Sequence, residues 1–159
     1  GNRTGRMFTG DASGDWLIRA LHETGFANQP QSVSMDDGLR LRSAYITAIV
    51  RCAPPMNKPT RQEISNCSKY LVEELRLLKD VKVVLTLGRI AFDNYLRNIE
   101  LGKSRRPRFR HGSTYRLAES TPLLAASYHP SRQNTQTERL KWNMWLKVFE
   151  NIRRGLGPA

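Results

Sequence analysis

The chain is organised around one stretch near its C-terminus, Leu123-Leu124-Ala125-Ala126-Ser127-Tyr128-His129-Pro130-Ser131-Arg132-Gln133-Asn134-Thr135. Its apolar first half is typical of a buried strand. The strand must stop at Pro130, because proline has no amide hydrogen to give to a central strand. Thr135 and Glu138 then have the spacing of a capping box and predict the start of a helix. Since ligands bind where the strands of α/β folds end, His129 is either a turn histidine or a functional one.

Length and charge narrow the class of protein. The 159 residues suffice for one domain with a single core. The formal net charge of +12 favours a polyanionic partner, nucleic acid before an anionic membrane surface. No apolar run is long enough to span a membrane. No helix shows one purely basic face, so we expect no membrane partner. The two cysteines are too few for a secreted disulfide scaffold.

Three apolar segments alternate with helical patterns and predict the sheet. Residues 43–50, 81–87 and 123–128 are mostly apolar, which indicates strands buried on both faces. Such strands, separated by helices, predict a parallel sheet with helices on each side. Because an open sheet of three strands is thin, and because the chain opens on a loop-like Gly1-Asn2-Arg3-Thr4-Gly5-Arg6, we expect residues and a strand upstream to be missing.

Helix starts are predicted from capping residues. Asp11 or Ser13 caps a first helix, and Thr60 with Glu63 forms a capping box that opens a second one, to about residue 78. A short helix follows Gly88, and a last helix runs to about residue 154. The apolar stripe of that last helix is expected in the core; its members are Leu140, Met144, Trp145, Val148, Phe149 and Ile152.

Three stretches, in order, carry a family resemblance. They are Gly1-Asn2-Arg3-Thr4-Gly5-Arg6-Met7-Phe8-Thr9-Gly10-Asp11, then Val50-Arg51-Cys52-Ala53-Pro54-Pro55-Met56-Asn57-Lys58-Pro59, and finally His129-Pro130-Ser131-Arg132-Gln133-Asn134-Thr135. Together they resemble the family 5 (type B) uracil-DNA glycosylases of bacteria and archaea, relatives of the family 4 iron–sulfur enzymes. The resemblance implies a three-layer α/β/α fold around a four-stranded parallel sheet. It also implies a monofunctional DNA repair enzyme that flips uracil and other deaminated bases, such as hypoxanthine, out of DNA and hydrolyses the N-glycosidic bond, leaving an abasic site.

The family pattern is incomplete in this chain. The family's first motif, Gly-Leu-Ala-Pro-Ala, is absent, so residues 1–159 are expected to be a single glycosylase-like domain lacking its N-terminal part. The family carries a [4Fe-4S] cluster on four cysteines, of which Cys52 and Cys67 match the last two. Taken alone, a loop cysteine and a helix cysteine are more often inert packing residues. The resemblance further implies a cytoplasmic, nucleoid-associated monomer of prokaryotes whose partner is double- and single-stranded DNA containing deaminated bases.

The resemblance assigns roles to individual residues. Phe8 would stack on the flipped base, or else belong to the core. His129 would donate a hydrogen bond to the departing base. Asp11 would orient a water or merely cap its helix, and Asn57 would bind the base, the DNA backbone or a water, or else hold its proline-rich loop. Ala48 stands where family 4 has an asparagine that reads uracil, which implies a broader range of bases.

Two surfaces would contact DNA. The loop of Ser131, Arg132, Gln133 and Asn134 would fill the gap left by the flipped base. Phosphates would be neutralised by Lys58, Arg105, Arg106 and Arg108, although on the local pattern alone the last three are more often part of a solvated basic loop. Two other classes of function stay open. One is a non-catalytic, basic nucleic-acid-binding α/β domain. The other is an α/β hydrolase of different chemistry, for which no nucleophile and base are visible.

Overall fold

The computed structural model describes residues 3–51, 54, 58–99 and 106–157. Its elements, in chain order, are α1 (Ala12–Glu23), α2 (Arg61–Leu77), β1 (Val83–Leu87), α3 (Arg89–Asn98), β2 (Thr114–Tyr115), β3 (Leu123–Ser127), α4 (Arg132–Gln136) and α5 (Trp142–Leu156). Two compact units make up the chain, Gly1–Ile46 with Tyr128–Ala159, and Thr47–Ser127. The described helices include none with the length and apolar character needed to cross a membrane. The expectation of a single domain stays a prediction.

The second unit, Thr47–Ser127, holds the sheet. Its strands lie in the order β1-β3-β2, with β1 parallel to β3 and β2 antiparallel to it. Apolar side chains of α3 pack on one face of β3 and form a core of Phe92, Tyr95, Leu96, Leu124 and Ala126. The apolar strands predicted at 81–87 and 123–128 are therefore confirmed, and the protein is of the α/β class.

The described sheet lacks one predicted strand, at residues 43–50, and includes one strand that was not predicted, β2. Residues 43–50, all of which the structure describes, form no strand, and the described sheet is three-stranded and mixed rather than four-stranded and parallel. An apolar run becomes a strand only when its backbone has a partner to pair with. Here the run is held from α2 instead, because Glu74 accepts hydrogen bonds from the side chains of Thr47 and Arg51. Tyr45, at 58% exposure, does not lie in a sheet core.

The first unit, Gly1–Ile46 with Tyr128–Ala159, is built on the packing of α1 against α5. Trp145 is fully buried, and its indole Nε1 donates to the Trp16 carbonyl at 3.1 Å. The predicted place of the apolar stripe in the core is confirmed for Trp145, Val148 and Phe149, and it is wrong for Met144, which is 36% exposed. Asp11 is the N-cap of α1, which decides between Asp11 and Ser13, the two residues that the sequence left open.

One predicted capping box is confirmed and the other is wrong. Thr60 and Glu63 bond reciprocally at the start of α2, as predicted. Thr135 starts no helix, because Ser131 has already capped the short helix α4, and the Thr135 hydroxyl bonds back to the Ser131 carbonyl. Glu138 then adopts a left-handed φ of 55°, through which a helix does not continue. The last helix therefore begins only at Trp142.

Candidate active site

His129 lies two residues beyond the end of β3 and is half-buried. Its ring lies beside the ring of Phe8, with centroids 6.0 Å apart and planes inclined by 33°. The pKa of His129 is below its ordinary value, because burial disfavours the charged ring; the negative charge of Asp11 acts in the opposite direction. At neutral pH the imidazole is therefore neutral and offers one N–H donor and one acceptor.

The backbone of His129 is fixed from α4. The Asn134 side-chain amide donates to the His129 carbonyl oxygen at 2.8 Å. Ser131 is the N-cap of α4, and its side-chain oxygen accepts a hydrogen bond from the backbone N–H of Asn134. Since Ser131 and Asn134 are both used inside the protein, Arg132 and Gln133 are the exposed members of the predicted DNA-contacting loop. Contact of these four residues with DNA stays a prediction.

Phe8 sits on a strained loop packed against the start of α1. Its φ of 53° is left-handed, a conformation that a bulky residue adopts only when its surroundings impose it. A Cβ added at Gly14 would lie 2.3 Å from the Phe8 carbonyl oxygen, so the helix backbone touches the loop backbone directly. Phe8 is half-buried and lies outside the buried core, next to His129.

Asp11 has the capping role, one of the two roles that the sequence left open. Its Oδ1 accepts from the Gly14 amide at 2.8 Å and caps α1. Its charge also acts on the titration of His129. Asp11 is exposed, so water reaches its carboxylate. Phe8, Asp11 and His129 are thus brought together within the first unit, and orientation of a reacting water by Asp11 stays a prediction.

The remaining predicted site residues belong to the second unit. Ala48 is half-buried in a segment without regular structure, and the basic side chains of Lys58, Arg106 and Arg108 are exposed. Cys67 is half-buried on α2, where its Sγ accepts the Arg51 amide at 3.4 Å. Three predicted residues lie outside the described part of the chain, namely Cys52, Asn57 and Arg105.

The resemblance implies a [4Fe-4S] cluster on four cysteines, and this chain has two, Cys52 and Cys67. Peptide N–H groups commonly donate to the sulfur ligands of iron–sulfur clusters, so the Arg51–Cys67 contact suits a ligand role. Within residues 3–51, 54, 58–99 and 106–157, however, His, Cys, Asp and Glu side chains nowhere gather in a group of three or more. The residues present do not complete the site, and no step of the chemistry is derived through a cluster.

Sequence reasoning assigned no role to Arg6 and Gly14, which hold this site, and assigned Asn134 a different role, in the loop that contacts DNA. Arg6 ties the Phe8 loop to residues 32–37, Gly14 allows the close approach of α1, and Asn134 holds His129. None of them belongs to a periodic pattern. The one available signal was glycine within the first turn of a helix, where alanine is the better helix former.

Comparison with known proteins identifies the family. Residues 1–153 match the family described as Uracil DNA glycosylase superfamily. The chain is 52% identical over 156 residues to the type-5 uracil-DNA glycosylase of Thermus thermophilus, covering 98% of the chain and 70% of that protein. It is 45% identical over 157 residues to the type-5 enzyme of Mycobacterium tuberculosis, covering 98% of the chain and 58% of that protein. It is 33% identical over 97 residues to the type-4 enzyme of Archaeoglobus fulgidus, covering 59% of the chain and 48% of that protein. The chain thus spans between 48% and 70% of the length of these three relatives. It belongs to the uracil-DNA glycosylase superfamily.

Proposed function

We propose that this chain is part of a uracil-DNA glycosylase, which hydrolyses the N-glycosidic bond of uracil in DNA and leaves an abasic site. The observation that carries the proposal is an aromatic face, Phe8, beside a neutral imidazole, His129, in a chain of this superfamily. The 45–52% identity to proteins named type-5 uracil-DNA glycosylase supports the same activity.

The chemistry needs three things that these residues can supply. The target atom is inaccessible inside a stacked duplex, so the nucleotide must be flipped out and its base held, and Phe8 offers a face for stacking. Bond cleavage leaves negative charge on the departing base, which an N–H of His129 stabilises. Water must then add to the sugar, and Asp11, exposed and near His129, orients it.

A single assay tests this activity. Full-length protein is incubated with a duplex containing one uracil, and abasic sites are revealed by alkaline strand cleavage. We expect cleavage at the uracil and none at thymine in the same duplex. Binding without cleavage would instead favour the non-catalytic nucleic-acid-binding domain. Cleavage of an ester substrate alone would favour the hydrolase of other chemistry.

The range of bases is proposed to extend to hypoxanthine, because Ala48 offers the base no amide. A pocket without a demanding polar partner rejects alternatives less strongly. Ala48→Asn should therefore raise the ratio of uracil to hypoxanthine cleavage by about tenfold or more, measured as single-turnover rates on matched duplexes. Ala48→Ser, which adds a polar group too short to pair with the edge of a base, is the control. An unaltered ratio in Ala48→Asn would remove Ala48 from the base pocket.

The exposed basic residues Arg106 and Arg108 are proposed to neutralise DNA phosphates. Each phosphate contact contributes about 0.9 to the slope of log affinity against log salt. Reversing both charges to glutamate should weaken binding to every sequence and reduce the slope by about 2. Lys82 and Arg116, also exposed in the second unit, are the matched control pair. Equal slopes for the two double variants would exclude residues 106–108 from the footprint.

Other features carry over from the resemblance as proposals. The full-length protein is proposed to complete the three-layer α/β/α fold with a four-stranded parallel sheet and to bind a [4Fe-4S] cluster through Cys52, Cys67 and two further cysteines. It is proposed to act as a monomer on DNA in the prokaryotic cytoplasm.

A further inference from the structure

Arg6 is the side chain that ties the loop carrying Phe8 to another part of the first unit. Its three guanidinium nitrogens donate to five oxygens at 2.5–3.2 Å, namely Thr9 Oγ1, Ser32 Oγ, Ser34 O, Met35 O and Asp37 Oδ1. Four of the five lie in residues 32–37, a segment 26 to 31 residues further along the chain. A guanidinium so fully engaged on both sides fixes the distance between the two loops.

The carboxylate of Asp37, which binds Arg6, also accepts hydrogen bonds from backbone amides. Asp37 Oδ2 accepts the amide of Val33 at 2.7 Å, and Oδ1 accepts the amide of Leu39 at 3.0 Å. The Asp37 side chain is 7% exposed, and the Arg6 guanidinium holds the pKa of that carboxyl well below its usual range. A charge taken out of water in this way needs its partners, so the pair differs from an exposed surface salt bridge.

Further bonds join the same two loops just beyond Phe8. The Gly10 amide donates to the Ser32 carbonyl at 2.9 Å, and the buried hydroxyls of Thr9 and Ser32 are 2.6 Å apart. Phe8 lies between Arg6 and Thr9, both of which are fixed, and on its other side it meets Gly14 of α1. Its left-handed φ is therefore imposed by contacts on both sides.

We propose that Arg6, organised by Asp37, is a positioning residue of the glycosylase reaction that holds the ring of Phe8 beside His129 before the base arrives. This inference rests on the proposed function. When the loop is held in advance, the flipped base meets an ordered surface, and its binding does not have to order the loop. Arg6 itself is not assigned any contact with the base.

Arg6→Lys tests the proposal, because lysine keeps the charge but not the planar fork. In full-length protein we expect the single-turnover rate on uracil-containing DNA to fall roughly tenfold and the inhibition constant of free uracil to rise by a similar factor. Affinity for undamaged DNA should stay within about twofold, since lysine keeps the net charge and the Arg6 guanidinium is bound to other parts of the protein rather than assigned to a phosphate. Asp37→Asn should reproduce the effect. Arg76→Lys is the matched control, because Arg76 also binds a carboxylate, that of Glu73, through two nitrogens but is exposed on α2.

A second readout does not depend on activity. Amide hydrogen exchange at Gly10, whose N–H is bonded to the Ser32 carbonyl, should become faster in Arg6→Lys and Asp37→Asn, and should not change in Arg76→Lys. Rates and free-uracil binding equal to those of Arg76→Lys would overturn the proposal, as would a rate that falls only in proportion to DNA affinity. If the unmodified protein releases no uracil, the proposed function fails, whereas normal release together with an unaffected Arg6→Lys variant rejects the positioning role alone.

Discussion

Replacement of His129 by alanine should slow single-turnover cleavage of uracil-containing DNA about a hundredfold while DNA affinity changes little. A preorganised donor at a developing anion stabilises the transition state by on the order of 3 kcal/mol, which corresponds to that factor in rate. His129 fits this role because its half-buried ring is neutral, faces Phe8 and sits on a backbone held by Asn134. The measurement is a rapid-quench time course with enzyme in excess.

Arg132→Ala provides the comparison that separates chemistry from base flipping. Arg132 is exposed on the first turn of α4, and its proposed task is to fill the gap left by the base. Arg132→Ala should therefore lose more activity on uracil in a stable base pair than on uracil in a mismatch or a single strand, because an unpaired base costs less energy to flip. His129→Ala should lose the same factor on all three substrates. A loss in His129→Ala that only follows lost binding would make the residue a loop anchor, and Asn57 would be the next candidate donor.

The stability of His129→Ala should also depend on pH differently from that of the unmodified protein. Since burial lowers the pKa of His129 from its ordinary 6.5, the unfolded chain binds the proton more readily than the folded one. The contribution of His129 is fully present above pH 6.5 and is lost as the pH falls below that value. The melting temperature of His129→Ala should therefore fall less than that of the unmodified protein between pH 7 and pH 5.

The parts of the fold that could be predicted from the sequence depend on nearby residues. The Thr60–Glu63 capping box is complete within four residues. The apolar run ending at Ser127 forms the predicted strand because it also finds β1 and β2 as partners. Residues 43–50 show the limit of this reasoning. Their apolar composition is that of a strand, but strand formation depends on a partner elsewhere, and Glu74, 27 residues after Thr47, anchors the segment to α2 instead. The helix start predicted at Thr135 was wrong for a related reason, because Ser131 caps a helix one turn earlier.

The residues of the candidate site likewise fall into those that could be predicted from the sequence and those that could not. The family motifs carry Phe8, Asp11 and His129, and the structure brings these three together in one unit. The residues that position them were not predictable, because each acts through a partner that no local pattern marks. Arg6 acts on Asp37, 31 residues away, and Gly14 acts by lacking a side chain where the loop backbone arrives.

Gly14→Ala should be strongly harmful, against the ordinary preference of helices. Alanine is about 1 kcal/mol better than glycine inside a helix. At position 14, however, the new Cβ would lie 2.3 Å from the Phe8 carbonyl oxygen and 2.6 Å from its carbonyl carbon. Both are backbone atoms that no rotamer change can move, so either α1 or the Phe8 loop must shift. Overpacking of this kind costs roughly 1–3 kcal/mol, or about 2–10 °C in melting temperature for a chain of this size.

Gly155→Ala is the matched control for Gly14→Ala. Gly155 also lies in a helix, α5, but a Cβ there would meet nothing within 4 Å. That variant should melt at or slightly above the unmodified protein, because only the helix preference acts. Gly14→Ala should melt lower and also lose cleavage at temperatures where it is fully folded, since the loop displaced is the one that carries Phe8. If both variants gain stability and retain full cleavage, the backbone of α1 does not support the Phe8 loop, and the strained φ of Phe8 must be maintained from the Arg6 side alone.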